Sequence, residues 1–229
     1  MNESPGVVAE GEKPPRRRVL IVDDHAMFAS SLSLALAMEP DIDVVGVSTT
    51  LAAARNALAT LSPDVVLLDH RLPDGRGVEA IGELRRINPA AQLVILTASL
   101  EESLAVSATE AGAAGFLVKT STVEELVAAV RAAAAGEMLV SPSVIGRLLE
   151  RLRSGGRPQP SSPLTDREQE ILTLIAEGLS NAAIAARLVL SVNTVRNHVA
   201  NVLAKLDAHS KLEALSIALR EGYLERPLD

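Results

Sequence analysis

A chain of 229 residues is long enough for one large domain or two small ones, and 48% hydrophobic content supports full cores rather than a disordered composition. The absence of cysteine excludes disulfides, thiolate metal sites and cysteine nucleophiles. A net charge of −7 argues against general nucleic-acid affinity, though not against a local basic patch, and Phe28, Phe116 and Tyr223 are too few aromatics for a base-stacking reader of single strands or RNA.

The apolar runs are too short or too interrupted to span a bilayer. Residues 1–16 carry Pro, Gly and mixed charge without an apolar signal-peptide core. They are read as a disordered head, and the expected location is the cytoplasm. From Val19 a strong alternation begins. Val19–Val22 is a strand that ends in Asp23-Asp24-His25, and Ala26 to Met38 has helical apolar spacing through Phe28, Leu32 and Leu36. Val44–Val47 is a second strand. Leu51 to Leu61 is a helix with Thr50 as its N-cap. Val65-Val66-Leu67-Leu68-Asp69 is a continuous apolar run tipped by a carboxylate, as expected of a central strand buried on both faces. Pro73-Asp74-Gly75 and Gly77 then turn the chain. Val78 to Ile87 is a helix stopped before Asn88-Pro89. Leu93–Thr97 is a fourth strand, Glu101 to Ala111 a helix, and Gly115–Lys119 a fifth strand. Thr122 with Glu125 forms a capping box for a helix to about Ala135.

Five strands alternating with five helices predict an α/β domain over 17–137, a parallel doubly wound sheet covered on both faces. Ser141 to about Leu152 reads as one more helix, and the Gly- and Pro-rich 154–163 as a flexible linker, so 138–163 connects two units. Residues 164–229 have an all-α pattern. Thr165 and Glu168 form a second capping box before Ile171, Leu172 and Ile175, and Gly178 stops that helix. Ser180 to Leu188 is short and amphipathic. Val189-Leu190 is a tight connection. Ser191 caps a third helix through Val195, Val199, Val202 and Leu206, and Ser210 to Glu221 is a fourth. Two helices joined by a short turn inside a four-helix unit form a helix-turn-helix.

In a doubly wound sheet the first and third strands are neighbours, so Asp23, Asp24 and Asp69 converge at the carboxyl ends where such sheets bind ligands. Three carboxylates need compensation. A hard divalent cation with oxygen ligands, Mg²⁺, suits them better than a metal that prefers imidazole, so His25 is read as a helix-start residue near the site. Thr97 adds a hydroxyl to the same rim and Lys119 an ammonium. This set of groups can stabilise a transferring phosphoryl group. Taken singly, each residue has a plainer explanation: a strand-end turn residue for Asp69, core packing for Phe116, a solvated terminus for Lys119.

Together, Asp23-Asp24, Asp69…Pro73…Gly77, Thr97 and Phe116-x-x-Lys119 resemble the receiver domain of two-component response regulators over residues 19–135. The resemblance implies a flavodoxin-like strand order of 2-1-3-4-5. It also implies that Asp69 accepts a phosphoryl group from a sensor histidine kinase. Asp24, Asp69 and the Arg71 backbone carbonyl would bind Mg²⁺, with Asp23 acting through water or from behind the ligands. Lys119 would pair with the acyl phosphate, Thr97 would swing toward it, and Phe116 would move inward. Arg71 and Ser99, two residues beyond Asp69 and Thr97, occupy positions that tune phosphoryl lifetime in that family.

Residues 163–225 resemble the LuxR-type DNA-binding domain through Leu164-Thr165-x-Arg167-Glu168, Gly178-Leu179-Ser180-Asn181, Ile184-Ala185, Ser191-Val192-x-Thr194-Val195-Arg196-x-His198 and Lys205-Leu206. A receiver followed by this domain is the NarL/FixJ architecture. Thr194, Val195, Arg196, Asn197 and Ala200 lie toward the start of the recognition helix, where a major groove reads side chains. Arg196 and Asn197 have donors for base edges or phosphates, and Ser191, Thr194, Lys205 and Lys211 are expected phosphate contacts. Val195 fits a core role or a contact role, as does His198. Asn181-Ala182-Ala183 and Ala200 lack charges common in the family, and the domain is not basic. Few phosphate contacts make DNA binding depend on dimerisation over paired half-sites, with Leu212, Leu215 and Leu219 as the expected dimer face. The leading reading is a homodimerising transcription factor switched at Asp69 that is not an enzyme beyond its own phosphorylation and dephosphorylation. A constitutive DNA binder with an idle receiver and a phosphatase using the aspartate cluster rank below it.

Overall fold

The computed structural model describes residues 16–98, 102–138 and 162–224. The expected helix at Ser141–Leu152, most of the linker, residues 1–15 and Ser99 lie outside them.

The first unit is a parallel five-stranded sheet formed by β1 (Arg17–Val22), β2 (Ile42–Ser48), β3 (Val65–Asp69), β6 (Gln92–Thr97) and β7 (Gly115–Val118), in the order β2-β1-β3-β6-β7. This is the expected order, and β3 is central as its unbroken apolar run requires. A small hairpin, β4 (Arg71–Leu72) and β5 (Gly75–Arg76), follows β3 where the sequence indicated only a turn. Strand alternation divides the core between two faces. Leu20, Val22, Val66, Leu68, Leu93 and Ile95 pack with helices α2 (Leu51–Leu61), α3 (Gly77–Ile87) and α4 (Glu102–Glu110). Ile21, Val65, Leu67, Val94 and Leu96 pack with α1 (Ala26–Ala37) and α5 (Val123–Ala134) on the other side. Each buried Val or Leu contributes about 1.5–3 kcal/mol, so the sheet core fixes strand ends firmly.

The helix starts follow the local chemistry. Thr50 Oγ1 accepts the Ala53 N–H at 3.1 Å. The Thr122–Glu125 and Thr165–Glu168 capping boxes are both closed. Asp74, seen in sequence only as a turn residue, accepts the Leu51 and Ala52 N–H groups at 2.8 and 2.9 Å, so the hairpin after β3 supplies an anion to the α2 N-terminus. These backbone hydrogen bonds, Leu51 first, hold the Asp74 carboxyl below its ordinary range.

The second unit contains α6 (Asp166–Ala176), α7 (Asn181–Leu188), α8 (Val192–Lys205) and α9 (Lys211–Arg220). Ser180, Ser191 and Ser210 cap the last three through their side-chain oxygens. Gly178 takes φ +83°, the left-handed turn that ends α6. Val189, at φ 54°, makes the bend between α7 and α8 although it is β-branched, a conformation that stores local strain. Ile171, Leu172, Ile175, Ile184, Val195, Val199 and Leu215 form the core of this unit. Among the described residues no helix is long and apolar enough to cross a membrane.

The two units meet at the start of α9, which packs against α4. Leu212 is 1% exposed and belongs to the core of the first unit, whereas Leu215 and Ala218 belong to that of the second.

Candidate functional site

Strand order brings the carboxylates together. β1 lies beside β3, so Asp23 and Asp24, just after β1, face Asp69 at the tip of β3. The backbone around Asp69 is closely held. His70 N–H donates to Leu96 O at 2.9 Å and Gly77 N–H to His70 O at 2.9 Å. A Cβ at Gly77 would stand 2.2 Å from the Asp69 carbonyl oxygen, so only glycine lets the α3 start return this close beneath the acceptor strand. Lys119 N–H donates to Thr97 O at 2.7 Å, which pins the end of β7 beside β6 and aims the lysine back over the rim.

The Lys119 ammonium lies 2.7 Å from Asp23 Oδ2 and 2.8 Å from Asp69 Oδ2. Asp23 is wholly buried and Asp69 nearly so. Burial alone would push the lysine down, but the hydrogen bonds it donates to Asp23 and Asp69 outweigh it and hold the ammonium above its ordinary range. The Phe28 ring adds a face 5.1 Å from Nζ. Sequence reasoning treated Phe28 only as an apolar helix position; its site role depends on where α1 packs.

Asp24 is the exposed carboxylate of the three, and His25 beside it is exposed too. His25 Nδ1 sits 3.1 Å from Asp23 Oδ1 and 3.0 Å from Asp24 Oδ1, and the His25 N–H donates to Asp23 Oδ1 at 2.9 Å. His25 is therefore at the α1 start beside the cluster, as expected, with its ring turned to the carboxylates. Ligand atoms from Asp23, Asp24, His25 and Asp69 lie within 4.8 Å of one another. Carboxylate oxygens dominate this set, and one of them is exposed, so the residues fit a hard divalent cation that keeps some of its waters. Thr97 is 6% exposed and Phe116 8%. Asp69, Thr97, Lys119, His25, Phe28 and Arg71 line a cavity of about 460 Å³ above the sheet. Phe116 is already inside the core formed with α2, α3 and α4.

In the second unit Arg196 and Asn197 are exposed on α8, and His198 is half-buried. Val195 is fully buried and serves the core in this arrangement. Ser191 accepts the Thr194 N–H at 3.0 Å, and the two hydroxyl oxygens are 2.8 Å apart, so both residues are engaged in capping α8. Lys205 bridges to Glu168 at 2.6 Å, a pairing that joins the α8 end to the capping box of α6. Lys211 is 3% exposed, with its ammonium 2.6 Å from Glu137 and 2.9 Å from Asn181 Oδ1. Of the expected dimer leucines, Leu212 and Leu215 are buried and Leu219 is partly so.

Two further groups at the contact between the units escaped sequence reading. Arg85, on α3, is 4% exposed and its Nη1 donates to Glu213 Oε2 at 3.0 Å. Ser210 Oγ donates to Ala113 O at 2.9 Å while capping α9. Gly112, at φ +92°, makes room for the ion pair: a Cβ there would stand 2.1 Å from Arg85 Nη1.

Residues 19–131 match the family model for the response regulator receiver domain, and 162–218 match that for bacterial regulatory proteins of the luxR family. The chain is 38% identical over 204 residues to the transcriptional regulatory protein LiaR of Bacillus subtilis, covering 89% of this chain and 97% of that protein. It is 37% identical to the DNA-binding transcriptional activator DevR/DosR of Mycobacterium tuberculosis, over 88% of this chain and 93% of that protein. Among solved structures, the receiver domain of the putative response regulator NarL from Mycobacterium tuberculosis aligns with TM-score 0.52 at 35% identity, covering 54% of this chain and all of that one. The response regulator RcsB of Salmonella typhimurium aligns with TM-score 0.54 at 25% identity, over 88% of this chain and 97% of that one. With an acidic rim on a doubly wound sheet, a four-helix unit behind it and both families matched along the chain, this protein belongs to the NarL/FixJ-type response regulators, transcriptional regulators that join a receiver to a LuxR-type DNA-binding domain.

Proposed function

We propose that Asp69 is the phosphoryl acceptor and that its modification controls dimerisation and duplex binding by the second unit. The observation that carries this is the convergence of Asp23, Asp24 and Asp69 with the Lys119 ammonium at one cavity that Thr97 also lines. An Asp69 carboxylate oxygen attacks the phosphorus of a phosphohistidine on a sensor kinase. The P–N bond breaks as the O–P bond forms, and the electron pair leaves on the imidazole. Asp24, Asp69 and the Arg71 carbonyl would hold Mg²⁺, with Asp23 behind them, and the ion would offset charge on the phosphoryl oxygens. Lys119 follows the charge. It now bridges Asp23 and Asp69, and its Nζ is near enough to Asp69 to pair with a phosphoryl oxygen attached there. Thr97, at the end of β6, offers its hydroxyl from the neighbouring strand, and movement there passes to α4 and to Phe116. Arg196 and Asn197, exposed at the recognition helix, are the base-reading pair on this view.

Treatment with acetyl phosphate and MgCl₂, followed by intact-mass and size analysis, tests the reading. Wild type should gain one phosphoryl group and bind a duplex as a dimer. Asp69→Asn should gain none, and a wild-type response in that variant would overturn the assignment. The result should also depend on the metal, since chelation removes the charge compensation that the carboxylates need.

A further inference from the structure

Glu137, just after α5, reaches into the second unit. Its carboxylate accepts the Asn181 N–H, with Oε1 at 3.0 Å and Oε2 at 3.3 Å, and Oε2 lies 2.6 Å from Lys211 Nζ. Asn181 is the first residue of α7, the first helix of the helix-turn-helix, and Lys211 is the first of α9. The carboxylate thus occupies an anion seat made from a helix N-terminus and an ammonium that is nine-tenths buried. Asn181 Oδ1 accepts a second Lys211 proton at 2.9 Å and aims the ammonium into the seat.

The seat stands at the start of the first helix of the helix-turn-helix. Burial pushes the Lys211 ammonium down, and the Glu137 carboxylate beside it works against that. A helix N-terminus backed by a cation has the chemistry of a phosphate site, and the first helix of a helix-turn-helix crosses the DNA backbone. The occupant seen is a carboxylate from the receiver, which carries the same sign of charge and offers the same acceptor oxygens as a phosphodiester.

We propose that Glu137 is a carboxylate plug in a DNA-phosphate seat formed by the α7 N-terminus and Lys211, so that receiver and DNA backbone compete for one anion site. The proposal rests on reading residues 164–224 as a duplex-binding unit, and it deepens that reading by naming what blocks it. It also explains why a cation suited to phosphate is buried in this arrangement: its anion is supplied from within the chain. Withdrawal of α5's end frees the seat without remodelling the second unit.

The test uses the full chain and a labelled random-sequence duplex across a range of salt concentrations. A pair of spin labels at Gly82→Cys and Glu221→Cys reports domain separation in a chain that has no other cysteine. Glu137→Gln, unphosphorylated, should bind the duplex about tenfold more tightly than wild type. Its log–log salt slope should steepen by about one, the signature of one added phosphate contact. Lys211→Met in the Glu137→Gln background should remove both gains. Unchanged affinity and slope in Glu137→Gln overturn the plug. Wider label separation without a steeper slope also overturns it, because Glu137 would then be only a hinge contact. Inorganic phosphate separates the two sources of the anion: label distances in wild type should stay fixed when it is added, and displacement by micromolar phosphate would overturn the assignment to DNA. Wild type treated with acetyl phosphate is the reference. If it binds duplex and Glu137→Gln remains at the resting level, the plug alone fails. If neither binds, the duplex-binding reading fails with it.

Discussion

Lys119 holds two carboxylates that burial would otherwise set against each other. Asp23 is wholly enclosed and its Oδ2 has the Lys119 ammonium 2.7 Å away. Removing one member of a fully enclosed ion pair costs about 3–5 kcal/mol, and the 17% exposure of the lysine side chain reduces this to roughly 2 kcal/mol. Lys119→Met should therefore lower the melting temperature, and MgCl₂ should restore part of the loss by supplying a replacement charge. Melts of both proteins with and without the metal check this; a variant as stable as wild type and indifferent to Mg²⁺ would show that the carboxylates need no cation. The members of this site were legible because each ends a strand, and strand ends can be read from apolar runs stopping at a polar residue. Asp23, Asp24, Asp69, Thr97 and Lys119 all follow that pattern. Arg85 does not. It lies near the end of an amphipathic helix, where a basic residue usually faces solvent, and its partner Glu213 is 128 residues away. Nothing local distinguishes it from the neighbouring exposed Arg86.

At the scale of elements, pairings across the sequence hold the ends of strands and helices. Arg131, on α5, donates to both Asp41 oxygens, at 3.0 and 2.7 Å, and to Glu39 at 2.6 Å, so it ties α5 to the start of β2. The Arg131 hydrogen bond, against opposition from desolvation, holds Asp41 down at about 2 from an ordinary 3.8. A depressed folded-state pKa favours the folded form at pH above the unfolded value, and the benefit is lost as pH falls from about 4 to about 2. Because the carboxylate sits at the surface and is only partly buried, solvent screening limits the contribution at neutral pH to about 1 kcal/mol or less. Asp41→Asn should melt below wild type at pH 7, and the gap should close in acid through that window. A gap that persists at the acid end would mean the effect is packing, not charge. Helix starts were legible to within a residue or so, since Thr50, Thr122, Thr165, Ser180 and Ser191 cap by local rules. The β4–β5 hairpin was not, because its two-residue strands are too short to show a period. The leucines of α9 were placed on one face correctly, yet periodicity cannot say which neighbour a face meets. Leu212 meets the receiver, while Leu215 meets its own unit.

The whole molecule is held closed at the start of α9 by contacts that differ in what each leaves behind when broken. Glu213 Oε2 accepts from Arg85 Nη1 at 3.0 Å and from the His209 N–H at 2.7 Å. Arg85 Nε and Nη2 are buried and make no hydrogen bond among the described residues, and burial pushes this guanidinium down despite Glu213. The pair is therefore asymmetric. Without Arg85, Glu213 keeps a backbone donor. Without the Glu213 charge, a guanidinium remains enclosed with no counterion among the described residues, and the way to rehydrate it is to move the second unit off α3 and α4. Removal of the anion should open the protein more than removal of the cation. In the doubly labelled chain, Glu213→Gln should populate the separated form strongly, whereas Arg85→Met, which fills the same space with an apolar side chain, should stay close to wild type. The double variant should also resemble Arg85→Met, because the enclosed guanidinium that drives opening is gone. Equal opening by both single variants would mean that attraction across the pair holds the units together. The ordering predicted here instead makes Arg85 an enclosed charge that is tolerated only while α9 is docked.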